Sequence, residues 1–192
     1  MKTPTHFERL SRRGFLLTAG AAAATTAACG NGVGNDGAAV LDLQVDATVR
    51  HMYATYPGTV DLGAKSTGML VMPVVTKAGL GVGGSFGKGA LRINDATVDY
   101  YSATSASVGF QIGAQQLAYV LFFMTEPALN KFRGASGWAA GADIEYAVND
   151  KGSNLSVATT TSNAPVIAVV FGQAGLMAGA TLEGSKYSRI IP

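Results

Sequence analysis

The chain has 192 residues, 48% hydrophobic and only 14% charged, with 25 glycines; this is too apolar for a disordered chain and too glycine-rich for a helical bundle. Its formal charge of +2 is concentrated at the start, where Lys2, Arg9, Arg12 and Arg13 outnumber Glu8, leaving 10 basic and 11 acidic residues from Cys29 onward. No Lys/Arg cluster survives there, which argues against nucleic acid as a partner, and one cysteine excludes an intramolecular disulfide.

Residues 1–28 read as an export signal: a charged opening, an apolar stretch from Phe15 to Ala28, then small residues before Cys29. The apolar stretch is shorter than the roughly 20 residues that cross a bilayer as a helix. Ser11-Arg12-Arg13-Gly14-Phe15-Leu16-Leu17 resembles a twin-arginine signal, and Thr26-Ala27-Ala28-Cys29 resembles a lipobox. The expectation is a lipoprotein that begins at Cys29, acylated and carrying palmitate or a similar chain, on the periplasmic side of the cell envelope. Gly30 stands where an aspartate would signal retention at the inner membrane, which favours the outer membrane. Two or more acyl chains hold stably, so any lipid affinity of the folded domain serves something besides attachment. Residues 29–38, rich in Gly and Asn, read as a flexible tether, and 39–192 as one domain.

Leu41, Val45, Val49, Met52 and Tyr56 recur at helical spacing, which predicts an amphipathic helix stopped by Pro57-Gly58. Its polar face carries Asp42 and Asp46, unlike the Lys/Arg-rich face of a membrane-surface helix. After Pro73 the period changes to two: Gly79, Gly81, Gly83, Gly87 and Gly89 share one parity, and Leu80, Val82, Phe86 and Ala90 the other. Alternation returns at 108–113, from Trp138 to Val148, and from Gly175 to Glu183; Val166 to Phe171 is a continuous apolar run suited to burial on both faces. Glu126 to Arg133 reads as a short helix. The expected fold is α+β but mainly β: a strongly curved glycine-rich antiparallel sheet or small closed barrel, with an N-terminal helix and one short helix packed on it. Five glycines on one strand face cost several kcal/mol at roughly 0.5–1 each, which close approach of another layer can offset.

Three patterns suggest chemistry and fail on their partners. Gly83-Gly84-Ser85-Phe86-Gly87 satisfies the nucleophile-elbow string, but the one histidine after the leader, His51, precedes the serine and lies on the expected helix. Gly79-Leu80-Gly81-Val82-Gly83-Gly84 satisfies a dinucleotide string without the helix that must start at its last glycine. Asp143 and Glu145 share one side of a strand and could be paired acids, but a solvated strand face explains them better. The expectation is therefore no enzyme, no cofactor, no metal and no catalytic residue.

Ala64-Lys65, the 68–73 strand, Gly81-Val82-Gly83-Gly84-Ser85-Phe86-Gly87, Tyr100-Tyr101-Ser102, the 111–115 segment, Trp138 with Gly141 and Asp143, and the segments 175–178 and 182–184 together resemble the SYLF domain. The resemblance implies a non-enzymatic lipid-binding domain; eukaryotic relatives bind phosphoinositides and, in some cases, actin filaments. The dispersed basic residues argue against actin here, and a bacterial envelope points to an anionic phospholipid head group instead. If contact is by charge, Lys65, Lys77, Lys88 and Arg92 are the candidate lipid-binding residues. The alternative is a structural or interaction lipoprotein that docks another envelope protein through its glycine-rich sheet.

Overall fold

The computed structural model describes residues 36–141, 144–146, 164–172, 175–176, 182 and 184–192. The leader, Cys29 and the tether through residue 35 lie outside the described residues, as do Asp143, 147–148 of the expected third strand, and 177–181 and 183 of the last alternating segment. The element order is α1 (Gly37–Thr55), α2 (Gly58–Lys65), β1 (Gly68–Ile93), β2 (Ala96–Phe123), α3 (Glu126–Gly134), β3 (Trp138–Ala139), β4 (Ile144–Tyr146), β5 (Val166–Gly172), β6 (Gly175–Leu176) and β7 (Lys186–Ile190).

One antiparallel hairpin, β1–β2, dominates the sheet, with a register running from Ile93↔Ala96 at the turn to Gly68↔Phe123 at the open end. Asn94 and Asp95 form that turn with φ of 50° and 63°, the left-handed pair that matches the twist of two-residue hairpins and that Asn and Asp tolerate best. The other edge of β2 is shared: β7 pairs with Tyr100–Thr104, and β5 with Leu117–Phe123. β3 extends the sheet beyond β7, β6 pairs antiparallel with β5, and β4 joins β5 in parallel. The fold is mainly β, a curled half-barrel, as the glycine pattern leads one to expect.

Curling comes from β1 folding back on itself. A Cβ on Gly89 would fall inside the carbonyl oxygen of Val71 and the sulfur of Met72, and one on Gly87 would lie 2.6 Å from Val75 Cγ2 and 2.8 Å from the Val74 oxygen. The later half of β1 therefore lies against the earlier half along a seam where side chains are excluded, which is the close approach that offsets glycine's entropic cost. Pro73 does not precede the strand but sits inside it, at a register shift between Met72 and Val75. Proline cannot donate to a ladder, so a bulge is where a strand can hold it. The extra residue reverses the parity: Leu70, Met72 and Val75 are all buried in the inner cluster, and Val74 is turned outward.

Two apolar clusters occupy the two faces of the sheet. Inside the curl, Leu70, Tyr119, Leu121, Phe123 and Tyr187 meet Leu129 and Phe132 of α3. Thr125 caps α3 by accepting from the Ala128 amide, Pro127 opens its first turn, and Lys131 and Arg133 complement the dipole at its end. Outside, Leu41, Val45 and Met52 of α1 cover Val71, Ala90, Val120 and Phe122. The amphipathic stripe thus does what its spacing predicts, with each fully buried side chain worth about 1.5–3 kcal/mol. α1 starts at Gly37, inside the expected tether, and α2 is an addition that the two-helix expectation lacks; its Leu62 continues the stripe around Tyr56. The expected alternation from Trp138 to Val148 is instead β3 and β4, separated by residues 140–143, of which Ala140 and Gly141 are described. β5 is buried from Val166 to Phe171, as its unbroken apolar run requires.

Candidate functional site

α1 is held on the sheet by polar contacts as well as by its stripe. Asp42 accepts from Thr97 Oγ1 at 2.8 Å and Tyr100 Oη at 2.9 Å, and Asp46 accepts from Arg92 Nη2 at 2.6 Å. Asp42 and Asp46 are one turn apart, so they share a helix face. Arg92 also donates to the Asp95 carbonyl at 3.0 Å, which ties the hairpin turn to the same cluster. Burial, followed by the Asp42 hydrogen bond, pushes the Tyr100 phenol above its ordinary range.

Where α1 begins, it leaves a groove of about 310 Å³ between its first turns and the bulged part of β1, lined by Val40, Leu41, Gln44, Val74, Lys88 and Pro192 among others. Val74 reaches it because of the Pro73 bulge, and Lys88 because it has the parity opposite to Gly87 and Gly89. Val40 lies just before the residue at which helical spacing first becomes visible in the sequence. It is half exposed, at 51%.

The four cations expected to meet lipid are dispersed. Lys65 is the exposed last residue of α2. Lys77, opposite Gln115, is half-buried, and burial lowers its ammonium below the usual lysine range. Lys88, opposite Ser102, is exposed and is the one of the four that lines the groove. Arg92 is mostly buried and already engaged by Asp46, with Asp42 at 4.0 Å. The apolar groove residues Val40 and Val74 escape a search by charge; their signal is exposure, which for Val74 depends on the bulge.

The residues of the elbow string sit within a continuous strand. Ser85 Oγ lies 2.6 Å from Ser105 Oγ across the hairpin, and the His51 ring packs 6.1 Å from that of Phe171 on the helix-covered face. Glu145 lies in β4, whose side chains beyond Ile144 are outside the described residues.

No curated protein matches the chain. The family model Ysc84, described as Las17-binding protein actin regulator, matches residues 104–189, which run from the middle of β2 through β7. The matched stretch supplies the inner cluster's β5, α3 and Tyr187, and it includes the segments around Gln111, Trp138 and Gly175 on which the resemblance rests. By this match residues 104–189 carry a Ysc84, or SYLF, domain, which is consistent with the chain being a member of that family.

Proposed function

We propose that this protein is a non-enzymatic lipid-binding lipoprotein of the bacterial envelope, acylated at Cys29, whose folded domain contacts anionic membrane lipid. The SYLF domain is linked to lipid binding and to protein interaction, and the observation that carries the lipid reading is the groove at the start of α1. It combines apolar walls with an exposed ammonium, that of Lys88. A lysine near an anionic surface contributes about 1 kcal/mol, or roughly fivefold in binding. Vesicle flotation of residues 30–192, which lack Cys29, tests this: binding should be about fivefold stronger to anionic than to neutral vesicles, with the preference abolished by Lys88→Gln. Equal binding to both removes the electrostatic part, and none to either removes the lipid reading.

A second reading, docking of another envelope protein through the glycine-rich sheet, draws on one feature. Among the described residues, β2 has no partner strand on its outer edge between Thr104 and Leu117, where β7 ends and β5 begins. An open edge is a template for strand addition. Crosslinking in intact cells that gave one discrete protein adduct and no lipid would favour this reading.

A further inference from the structure

Among the described residues, seven large apolar side chains are exposed; two of them line the groove and three more stand within three positions of a groove-lining residue in sequence. Val40 and Val74 line the groove. Leu43 lies one turn along α1 from Val40, Phe86 shares a strand face with Lys88, and Ile191 precedes the groove-lining Pro192. Phe86 is 53% and Ile191 74% exposed, so neither is part of the core. Apolar surface concentrated in this way marks a site of interaction.

The position of the chain identifies the occupant. α1 begins at Gly37, beside this surface, and Cys29 is eight residues upstream. Eight residues span at most about 26–29 Å, so a bilayer that holds acylated Cys29 is within reach of the groove. Lys88 is the one charged side chain of the groove lining, so the contact relies mainly on apolar insertion, with one ammonium for a phosphate. We infer that the groove end of the domain, with Val40, Val74, Phe86 and Ile191 around Lys88, is the face laid into the headgroup–acyl boundary of the bilayer. This assignment rests on the lipid-binding reading above and adds the orientation of the domain on the membrane.

Both apolar clusters and all three described helices lie within the compact unit Asp36–Pro192, so residues 30–192 carry the complete fold and no cysteine. Single cysteines placed by Val74→Cys, Phe86→Cys and Ile191→Cys are labelled with an environment-sensitive fluorophore, and so are Thr55→Cys and Ala135→Cys. Thr55 ends α1, about 27 Å along the helix from Gly37 at 1.5 Å per residue, and Ala135 follows α3. With phosphatidylcholine vesicles, with or without phosphatidylglycerol, the three groove labels shift to the blue and are quenched by lipid-borne quenchers, and the two controls are unchanged. Flotation with the response at Thr55 or Ala135 instead overturns the orientation and leaves the lipid reading standing; absence of flotation removes both. Groove labels that become buried without vesicles as protein concentration rises assign the face to a second copy and overturn the proposal. As an independent measure, Val74→Glu with Phe86→Glu weakens vesicle binding by about a hundredfold, since each change removes apolar insertion worth on the order of a tenfold step. The exposed positions leave melting unchanged; undiminished binding by that variant overturns the proposal.

Discussion

The Arg92 guanidinium donates to the Asp46 carboxylate across 2.6 Å, joining the far half of β1 to the middle of α1. Arg92 has only 14% of its side chain exposed, whereas Asp46 has 41%. Removal of the acid leaves a largely buried cation without its nearest partner, and the half-exposed position of Asp46 moderates the loss. Asp46→Ala should cost about 1–2 kcal/mol, or roughly 3–6 °C in melting temperature for a domain of this size. A double-mutant cycle with Arg92→Met checks it: additive losses mean that the pair does not couple.

The glycine seam makes a sharper claim. Gly89→Val places carbon on the Val71 carbonyl and the Met72 sulfur, so it should destabilise by about 3 kcal/mol or more, the upper end of overpacking because the obstacle is backbone. Gly134→Ala is the control: nothing lies within 4 Å of its Cβ position, and alanine in a helix gains about 0.5–1 kcal/mol over glycine. Urea melts of both variants decide; similar stabilities would mean that the two halves of β1 are not in contact.

Alkaline titration should destabilise the domain through its tyrosines. Burial raises Tyr53, Tyr56 and Tyr100 above the ordinary value of 10.0, with the Asp95 charge adding at Tyr53 and the Asp42 hydrogen bond and charge at Tyr100. Below pH 10 all three are protonated folded or unfolded, and their contribution is fully present. As pH rises past 10 the unfolded chain ionises first, and the stability drains away until the folded values are passed. Tyr100→Phe should flatten that decline when stability is followed by urea melts from pH 8 to 11.

Lys77 has the opposite sign. Burial lowers its ammonium below 10.5, so the folded state disfavours the charge, and the penalty is present at neutral pH and relieved as pH rises toward 10.5. Lys77→Met should therefore stabilise slightly at pH 7, on the order of 0.5 kcal/mol after solvent screening. A variant less stable than the parent would show that the lysine stem, and not its charge, governs that position.

Palmitate labelling tests the anchor. Wild-type protein should take up label and Cys29→Ala should not, with the folded unit from Asp36 unaffected because the substitution precedes it. Label retained in the variant would refute acylation at this cysteine.

Periodicity carried much of the fold. The stripe from Leu41 to Tyr56 and the unbroken run from Val166 to Phe171 each map onto an element buried as expected, because burial of a repeating face is what such patterns encode. The hairpin turn is not among the features read from the sequence: Asn94-Asp95 is a turn signal, but the alternation on both sides of it masked the break. α2 escaped because eight residues give too few repeats to show a period. The groove is the least legible feature. Lys88 can be chosen from its charge, but the outward turn of Val74 depends on a parity change at Pro73, and the engagement of Arg92 depends on acids 46 and 50 positions earlier in the chain. Tertiary register decides both, and no local pattern records it.

The doubled hairpin also implies an order of assembly. Its first pair, Ile93↔Ala96, closes across a two-residue turn, and every later pair extends the ladder outward until Gly68 meets Phe123, 55 positions away. Each step closes only a small additional loop, so the widest contact within the hairpin forms without the entropic cost of a single long closure. β7 and β5 have no such route: Lys186 must find Thr104 across 82 residues, and Val166 must find Phe123 across 43, on a β2 that has to be in place first. The ribbon is therefore the template and the C-terminal strands its late arrivals, and a ribosome releases them in that same sequence.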